Sequence, residues 1–377
     1  MTVRKILITG SDGLLGWHTR AFFSVREDTE VSVANRAAFN SDKLASLCAS
    51  ADVIIHLAGV NRGTDAEVAT NVDIADRLVQ ACEETVSTPH ILFSNSTHCD
   101  RETVYGQSKK DAATRIQKWA DASGAQFSNV VLPHIFGEHG RPFYNSVVST
   151  FCHQVAVGET PEIQQDGVLH LLHAQDAAQL FERLIESKHS GEVRPDGQEL
   201  KVSELLSHLE RLRDRYNSDR VVPSVDEPFQ LRLFNTFRSY ISHDQRPIPL
   251  ELWSDERGSL FEAIRSDGLG QFFVSTTFPG ITRGEHFHFR KVERFLVVSG
   301  SAKIRLRRVF DDHVHEFDVN GDNLQAIDIP TLHTHNITNT GDTPLLTLFW
   351  SSEHFDRSDP DTYASMVQND ESTDTSA

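Results

Sequence analysis

Cysteine is scarce: Cys48, Cys82, Cys99 and Cys152 are the whole complement, all in the first half, with no C-x-x-C pair. That excludes a disulfide-stapled secreted scaffold and a cysteine-built zinc module, and it points to a cytoplasmic protein without disulfides. Long hydrophobic runs are also lacking. No window approaches the roughly 20 apolar residues of a membrane span. Met1-Thr-Val-Arg-Lys5 runs straight into Ile6-Leu-Ile8, which reads as a strand and not as a signal peptide. Basic charge is in deficit, with 36 Lys and Arg against 54 Asp and Glu, a net charge of −18. So acidic a chain is a poor partner for nucleic acid or an anionic membrane. An anionic small molecule stays open, because backbone amides and one or two cations suffice to hold it. Internal repeats are absent.

What is present is enough chain for two domains, 377 residues in two textures. The first half alternates strands and helices. Val3 to Thr9 is a short apolar run that ends in Gly10-Ser-Asp12-Gly13-Leu14-Leu-Gly16 and continues as a helical pattern to about Val25. A strand, a glycine turn and a helix open a doubly wound parallel sheet of the Rossmann type. Gly10, Asp12, Gly13, Leu14 and Gly16 are therefore candidate pyrophosphate contacts, with the helix N-terminus supplying amides and partial positive charge. The second strand, Glu30 to Ala34, ends in Asn35-Arg36, where a carboxylate for ribose hydroxyls would usually stand. Arg36 can instead pair with a 2′-phosphate, which favours NADPH over NADH; a solvent-facing turn arginine is the alternative. Ala51 to Gly59 is a buried strand whose Leu57-Ala58-Gly59 end lets backbone lie close to a dinucleotide, followed by Val60-Asn61-Arg62.

His90 to Thr97 is a strand ending in hydroxyls, and Tyr105-Gly-Gln-Ser-Lys109 opens the helix beyond it. Positions four apart share a helix face, so Lys109 lies beside Tyr105 and its charge is expected to lower the phenol pKa. Ser96 can hydrogen-bond a carbonyl that Tyr105 protonates as hydride arrives. With these motifs in this order, residues 1 to about 240 resemble the extended short-chain dehydrogenase/reductases. The resemblance implies Ser96, Tyr105 and Lys109 as the catalytic trio. It matches His173-Ala-Gln-Asp176 to the late strand-to-helix turn of nucleotide-sugar members, and Pro133-His134-Ile-Phe-Gly137 to a strand that contacts substrate. Relatives often carry asparagine where His134 stands. Arg141 and Asn145, with Asn61, fall where relatives bind a nucleotide-sugar.

Lys201 to Tyr216 and Phe229 to Tyr240 read as amphipathic helices. The Pro247-Ile-Pro249 break places a linker near 243–250, hence domains at 1–245 and 246–365. From there short β-rich runs alternate with Gly, Pro and Asp, as in a jelly roll or small barrel. Gly280 to Gly300 holds His286-Phe-His288 and Glu293. Alternation on a strand turns both histidines to one face, and the three side chains form a plausible shell for a divalent metal. The spacing resembles the first motif of the cupins. Pro330-Thr-Leu332-His333-Thr-His335 resembles their second motif, with Leu332 where they have glycine. The resemblance implies His286, His288, Glu293 and His335 as ligands, with zinc as the expected ion. His333 is a second candidate ligand or a nearby acid–base group. Residues 366–377, with three acids and no base, read as a disordered tail.

A reductase-like half followed by a cupin-like half resembles the bifunctional capsular or O-antigen polysaccharide enzymes. Supporting stretches are His56-Leu-Ala-Gly-Val-Asn-Arg62, Tyr144-Asn-Ser-Val147 and Glu293 to Gly300. The resemblance implies C3 epimerisation of a UDP-4-keto-6-deoxy-HexNAc, NADPH-dependent reduction at C4 to UDP-2-acetamido-2,6-dideoxy-L-talose, and a homodimer. Two other classes stay open: an NADP sensor with a sugar-binding cupin, and a cupin dioxygenase or isomerase acting on another small molecule.

Overall fold

The computed structural model describes residues 3–368. The chain divides into two compact units: residues up to Phe151 together with Glu162–Leu205, and Cys152–Pro161 together with residues from Leu206 onward.

The first unit is built on a parallel sheet. Strands β1 (Arg4–Thr9), β2 (Thr29–Ala34), β3 (Val53–His56), β4 (His90–Ser96) and β5 (Phe127–Leu132) are joined later by β8 (Gly191–Val193), in the order β2-β1-β3-β4-β5-β8. A central parallel strand is covered on both faces and so is apolar throughout: Ile6, Leu7 and Ile8 are fully buried, as are Ile54 and Ile55. Alternation sends Leu7, Ile54 and Phe93 into one core with Leu78, Ile116 and Trp119 of the helices Asn71–Glu84 and Val104–Ser123. Ile6, Ile8 and Ile55 meet Phe22, Phe181 and Leu184 of the helices Leu14–Ser24 and Ala174–Glu186 on the other face. The chain turns outward from β1 in both directions, to β2 and to β3, so a crevice opens beyond the carboxyl ends of β1 and β3. A small sheet of β6 (His134–Phe136), β7 (Val168–His173) and β9 (Gln198–Lys201) lies at the side.

The second unit packs two five-stranded sheets, all antiparallel pairs, across one core. One runs in the order Pro247–Pro249, Gln325–Ile329, Glu293–Ser299, Leu345–Ser351, Gln271–Thr277. The other runs Val314–Asn320, Ser301–Arg308, His333–Asn339, Thr282–Phe287, Tyr363–Ala364. Phe295, Val297 and Ile327 of the first sheet meet Ile304, Leu306 and Ile337 of the second. Each such side chain, buried, is worth about 1.5–3 kcal/mol.

Three features depart from the sequence reading. The segment 243–250, expected as a linker, holds a 3-10 turn and an edge strand in which Pro247 pairs with Ile327. A proline is tolerated there because only one side of an edge strand needs ladder donors. Gln325–Ile329 and Leu345–Ser351 are sheet strands that the reading passed over. Met366 and Val367, assigned to the tail, are held: both carbonyls accept from Arg307, and Val367 is fully buried. The rest of that expectation, residues 369–377, lies outside the described residues. No helix among the described residues is long and apolar enough to cross a membrane, and all four cysteines are free.

Candidate active site and metal centre

At the crevice, Gly10 has φ +69°, and a Cβ there would lie 2.7 Å from Ala58 N. A Cβ on Gly16 would lie 2.1 Å from Gly10 O. Both glycines are thus enforced by backbone packing. The strand ends are stitched by Leu57 N to Thr9 O and by Ala58 N to Thr9 Oγ1. The helix Leu14–Ser24 starts with Gly13 as its cap, with no capping side chain and no acid in its first turn. Its amides are left for an anion. Asp12 and Gly13 are exposed beside it. Arg36 is exposed just past β2, where Asn35 Oδ1 caps a short turn by accepting from Ala38 N. This donor set fits a dinucleotide phosphate.

Ser96 ends β4, and Tyr105 stands at the start of the helix capped by Thr103. A hydrogen bond joins Ser96 to Tyr105, but burial outweighs it and pushes the phenol pKa up. The sequence expectation that Lys109 lowers it is therefore not met in the free protein. The reason is where Lys109 sits. Its Nζ donates to Ser94 O at 2.6 Å and lies 4.1 Å from the Phe93 ring centre, and burial depresses its own pKa to about 7. His56, buried beside it, is pushed down to about 3 by burial and by that lysine. Of the expected substrate contacts, His134 is hydrogen-bonded to Ser146 Oγ at 3.1 Å, and its pKa is lowered by burial and by His98, whose ring meets that of Tyr105. Asn61, Arg141 and Asn145 are exposed, with the Arg141 guanidinium 5.3 Å from the Tyr144 ring centre.

The sequence reading missed two supports here. Asn71 Oδ1 accepts from Val60 N while Nδ2 donates to Val60 O and to Ser108 Oγ, tying the Gly59 strand end to the Tyr105 helix. A buried Glu138 carboxylate holds His173 Nε2 at 2.9 Å, and its carbonyl meets His18 Nε2 at 3.0 Å. Burial would raise the Glu138 pKa, yet the His173 and His18 contacts hold it far below the carboxylate range. The only sequence signals were an asparagine early in a helix and a histidine ending a strand.

In the second unit the ligand atoms of His286, His288, Glu293 and His335 all lie within 4.8 Å of one another. Glu293 comes from one sheet, while His286 and His335 are paired across two strands of the other. The strand Thr282–Phe287 breaks register between Gly284 and His286, and Glu285 at that bulge has φ +64°. Its carboxylate pins the bulge by accepting from Asn336 Nδ2 and Val367 N. His288 Nδ1 donates to Asp361 O, and His335 Nδ1 donates to His333 O. A carbonyl can only accept, so in the neutral ring each Nε2 carries a lone pair. Burial lowers the His288 pKa but Glu293 beside it raises it overall, so a proton competes for that Nε2. Both Nε2 atoms are buried without a hydrogen bond of acceptable geometry, although Glu293 Oε2 is 3.0 and 3.5 Å away. Buried imidazole lone pairs aimed at one carboxylate, with their other nitrogens on backbone carbonyls, fit a divalent metal. Burial and the neighbouring histidines push His286 down to about 3, and Glu293 is held well below the carboxylate range by His288 despite its burial. Asp361, which the sequence reading missed, also accepts from the amides of Phe289, Arg290 and Lys291 and so fixes the turn after His288. His333 stands outside this cluster, its ring 5.5 Å from that of His243. Leu332, where the cupin pattern has glycine, has φ +59° and donates its N–H to His288 O at 2.8 Å.

Residues 6–196 match the NAD dependent epimerase/dehydratase family, and residues 253–363 match the polysaccharide biosynthesis C-terminal domain. A UDP-2-acetamido-2,6-beta-L-arabino-hexul-4-ose reductase of Pseudomonas aeruginosa is 31% identical over 96% of this chain and 99% of its own. The capsular polysaccharide assembling protein CapF of Staphylococcus aureus is 33% identical, with a TM-score of 0.61 over 96% of this chain and 100% of its own. A UDP-N-acetylglucosamine 4-epimerase of Methanobrevibacter ruminantium, 18% identical, shares the fold over 64% of this chain and 99% of its own, with a TM-score of 0.54.

Proposed function

The chain belongs to the NAD dependent epimerase/dehydratase family, and from that premise we propose that it is a bifunctional nucleotide-sugar enzyme of surface-polysaccharide synthesis. Its C-terminal domain, a cupin-type jelly roll, epimerises C3 of a UDP-4-keto-6-deoxy-HexNAc. Its N-terminal domain then reduces the C4 ketone to give UDP-2-acetamido-2,6-dideoxy-L-talose, a precursor of UDP-N-acetyl-L-fucosamine. The observation that carries the reading is the end-to-end likeness to a reductase whose name specifies a 4-keto UDP-sugar. It spans both halves of the chain.

When bound, NADPH supplies hydride and a divalent ion, zinc by the donor set, supplies positive charge beside an enolate oxygen. The chain supplies the rest. Ser96 Oγ orients the C4 carbonyl, Tyr105 gives its phenolic proton to the C4 oxygen as hydride arrives, and Lys109 stabilises the phenolate left behind. Binding an anionic cofactor beside Lys109 restores the ammonium that burial suppresses. His333 is the proposed proton carrier at C3, removing the proton from one face so that it returns to the other. Asn61, His134, Arg141 and Asn145 hold the UDP-sugar, and Arg36 selects the 2′-phosphate of NADPH. We place the enzyme in the cytoplasm.

Incubation with UDP-4-keto-6-deoxy-HexNAc and NADPH should deplete NADPH, and much less NADH. Without such depletion the reductase reading fails in favour of a sensor. In deuterium oxide, without NADPH, C3 should exchange its proton, and His288→Ala should abolish that exchange while leaving NADPH binding intact. Exchange that persists in this variant removes the metal-assisted epimerase.

A further inference from the structure

The second unit contains a charge imbalance that neither candidate site uses. Arg238, Arg246 and Arg294 are buried, at 1%, 3% and 2% exposure, with Asp328 as the buried acid among them. Arg294 takes Asp328 through Nε and Nη2, and Tyr216 donates its hydroxyl to the same carboxylate. Arg238 is satisfied by Tyr216 Oη, Asn235 Oδ1 and Ile329 O, all neutral. Arg246 donates Nε to His243 Nδ1 and Nη2 to the carbonyls of Arg238 and Ile241, while its Nη1 makes no hydrogen bond within the described residues. Three guanidinium groups against one carboxylate leave two buried positive charges without a counterion, which is costly unless an anion joins them. Burial, with Arg238 beside it, depresses Arg246 to about 10.

Of this set Arg246, Asp328 and Tyr216 line a cavity of about 200 Å³, whose walls also include Asn217, Arg220 and Gln245, while Arg238 and Arg294 stand behind them on Tyr216 and Asp328. Arg220 reaches the wall from solvent, its Nη1 on Pro249 O. The volume is below the roughly 300–1,000 Å³ of pockets for drug-sized ligands, which disfavours a whole nucleotide. A planar guanidinium with free donors recognises an oxoanion, and a dianion is the charge that neutralises the set.

We propose that this cavity binds a phosphate-sized oxodianion, held by Arg246 Nη1 and by Arg220 at its mouth, as the counterion of the buried arginine cluster. The site lies behind the sheet that carries Glu293, since Arg294 follows Glu293 on one strand and faces away from it.

The test is calorimetric titration of the full chain with inorganic phosphate, against sodium chloride of equal ionic strength. Saturable binding is expected, weakened roughly tenfold or more by Arg246→Gln, as for loss of a charged hydrogen bond, and weakened less by Arg220→Gln. Heat that never saturates, or one affinity shared by all three proteins, overturns the site. Should Arg246→Gln not fold, Arg220→Gln decides, and unchanged affinity there overturns it too. UDP is the second arm: saturable, Arg246-dependent UDP binding without phosphate binding overturns the phosphate-sized assignment and makes the ligand a nucleotide.

Discussion

Glu293 and Arg294 are consecutive on one strand and serve opposite faces of its sheet: Glu293 Oε2 lies 3.0 Å from His288 Nε2, and Arg294 Nε donates to Asp328 Oδ1 at 2.6 Å. The alternation of side chains along a strand makes the two adjacent residues independent in role. Glu293→Gln should cut metal content by more than the roughly 10–100-fold typical of losing an outer partner, with the fold retained. Arg294→Met should do the reverse. It leaves Asp328 buried with one cation fewer and should cost about 3–5 kcal/mol in urea denaturation, while folded protein keeps its metal. Metal analysis by mass spectrometry and denaturation curves separate the two, and equal metal loss in both variants would contradict the separation.

Lys109 gives a pH signature. Its pKa falls from the ordinary lysine value to about 7 in the folded chain, because burial disfavours the ammonium. Between that value and the unfolded pKa the unfolded chain binds more protons, so this lysine's contribution to stability rises with pH through the window. The cost of burying the charge is fully present below about pH 7 and is gone above the unfolded value. Lys109→Met should therefore be more stable than the parent at pH 6, with the gap closing toward pH 10, and should be inactive as a reductase. A gap in melting temperature that does not change with pH would refute the buried ammonium.

Leu332 sets strain against packing. With φ +59° it holds a left-handed conformation that costs a branched residue about 1–2 kcal/mol. Glycine would remove that cost. The side chain, however, is fully buried, and emptying such a site costs about 2–5 kcal/mol. Packing wins, so Leu332→Gly should lower stability by roughly 1–3 kcal/mol, read from the denaturation midpoint. An unchanged or raised midpoint would show that strain dominates.

Leu332 also shows what could be read in advance. The position was visible as a departure from a glycine pattern, and the structure places a left-handed backbone there. The glycine turn at Gly10 to Gly16, the Tyr105–Lys109 spacing and the His286, His288, Glu293 group were legible as local patterns, whereas His335 came only from the cupin resemblance; the structure brings it to the other three. Their supports were not legible. Asn71, Glu138, Glu285 and Asp361 act on partners 35 to 82 residues away, in part through backbone groups that carry no sequence identity. Leu345–Ser351 escaped for another reason: its apolar residues do not alternate, so period two is absent although it lies between two other strands. The pKa of Tyr105 was misjudged because helical spacing gives proximity to Lys109 but not the burial that weakens the lysine itself.

The strand Gln271–Thr277 is the edge of its sheet and is not blunted by charge. Phe272 is 55% exposed and Val274 71%, with Phe278 just beyond at 74%. An apolar edge of this kind is a pairing surface that isolated domains avoid, and a second copy of the chain is the expected occupant. Light scattering should give the mass of a dimer at micromolar concentration. Phe272→Asp with Val274→Asp should give a monomer, because two like charges from each copy would have to be buried together. Both side chains are largely exposed within one chain, so the substituted protein should still fold and bind its metal. A dimer that survives both substitutions would place the interface elsewhere, and a monomeric parent would remove the dimer altogether.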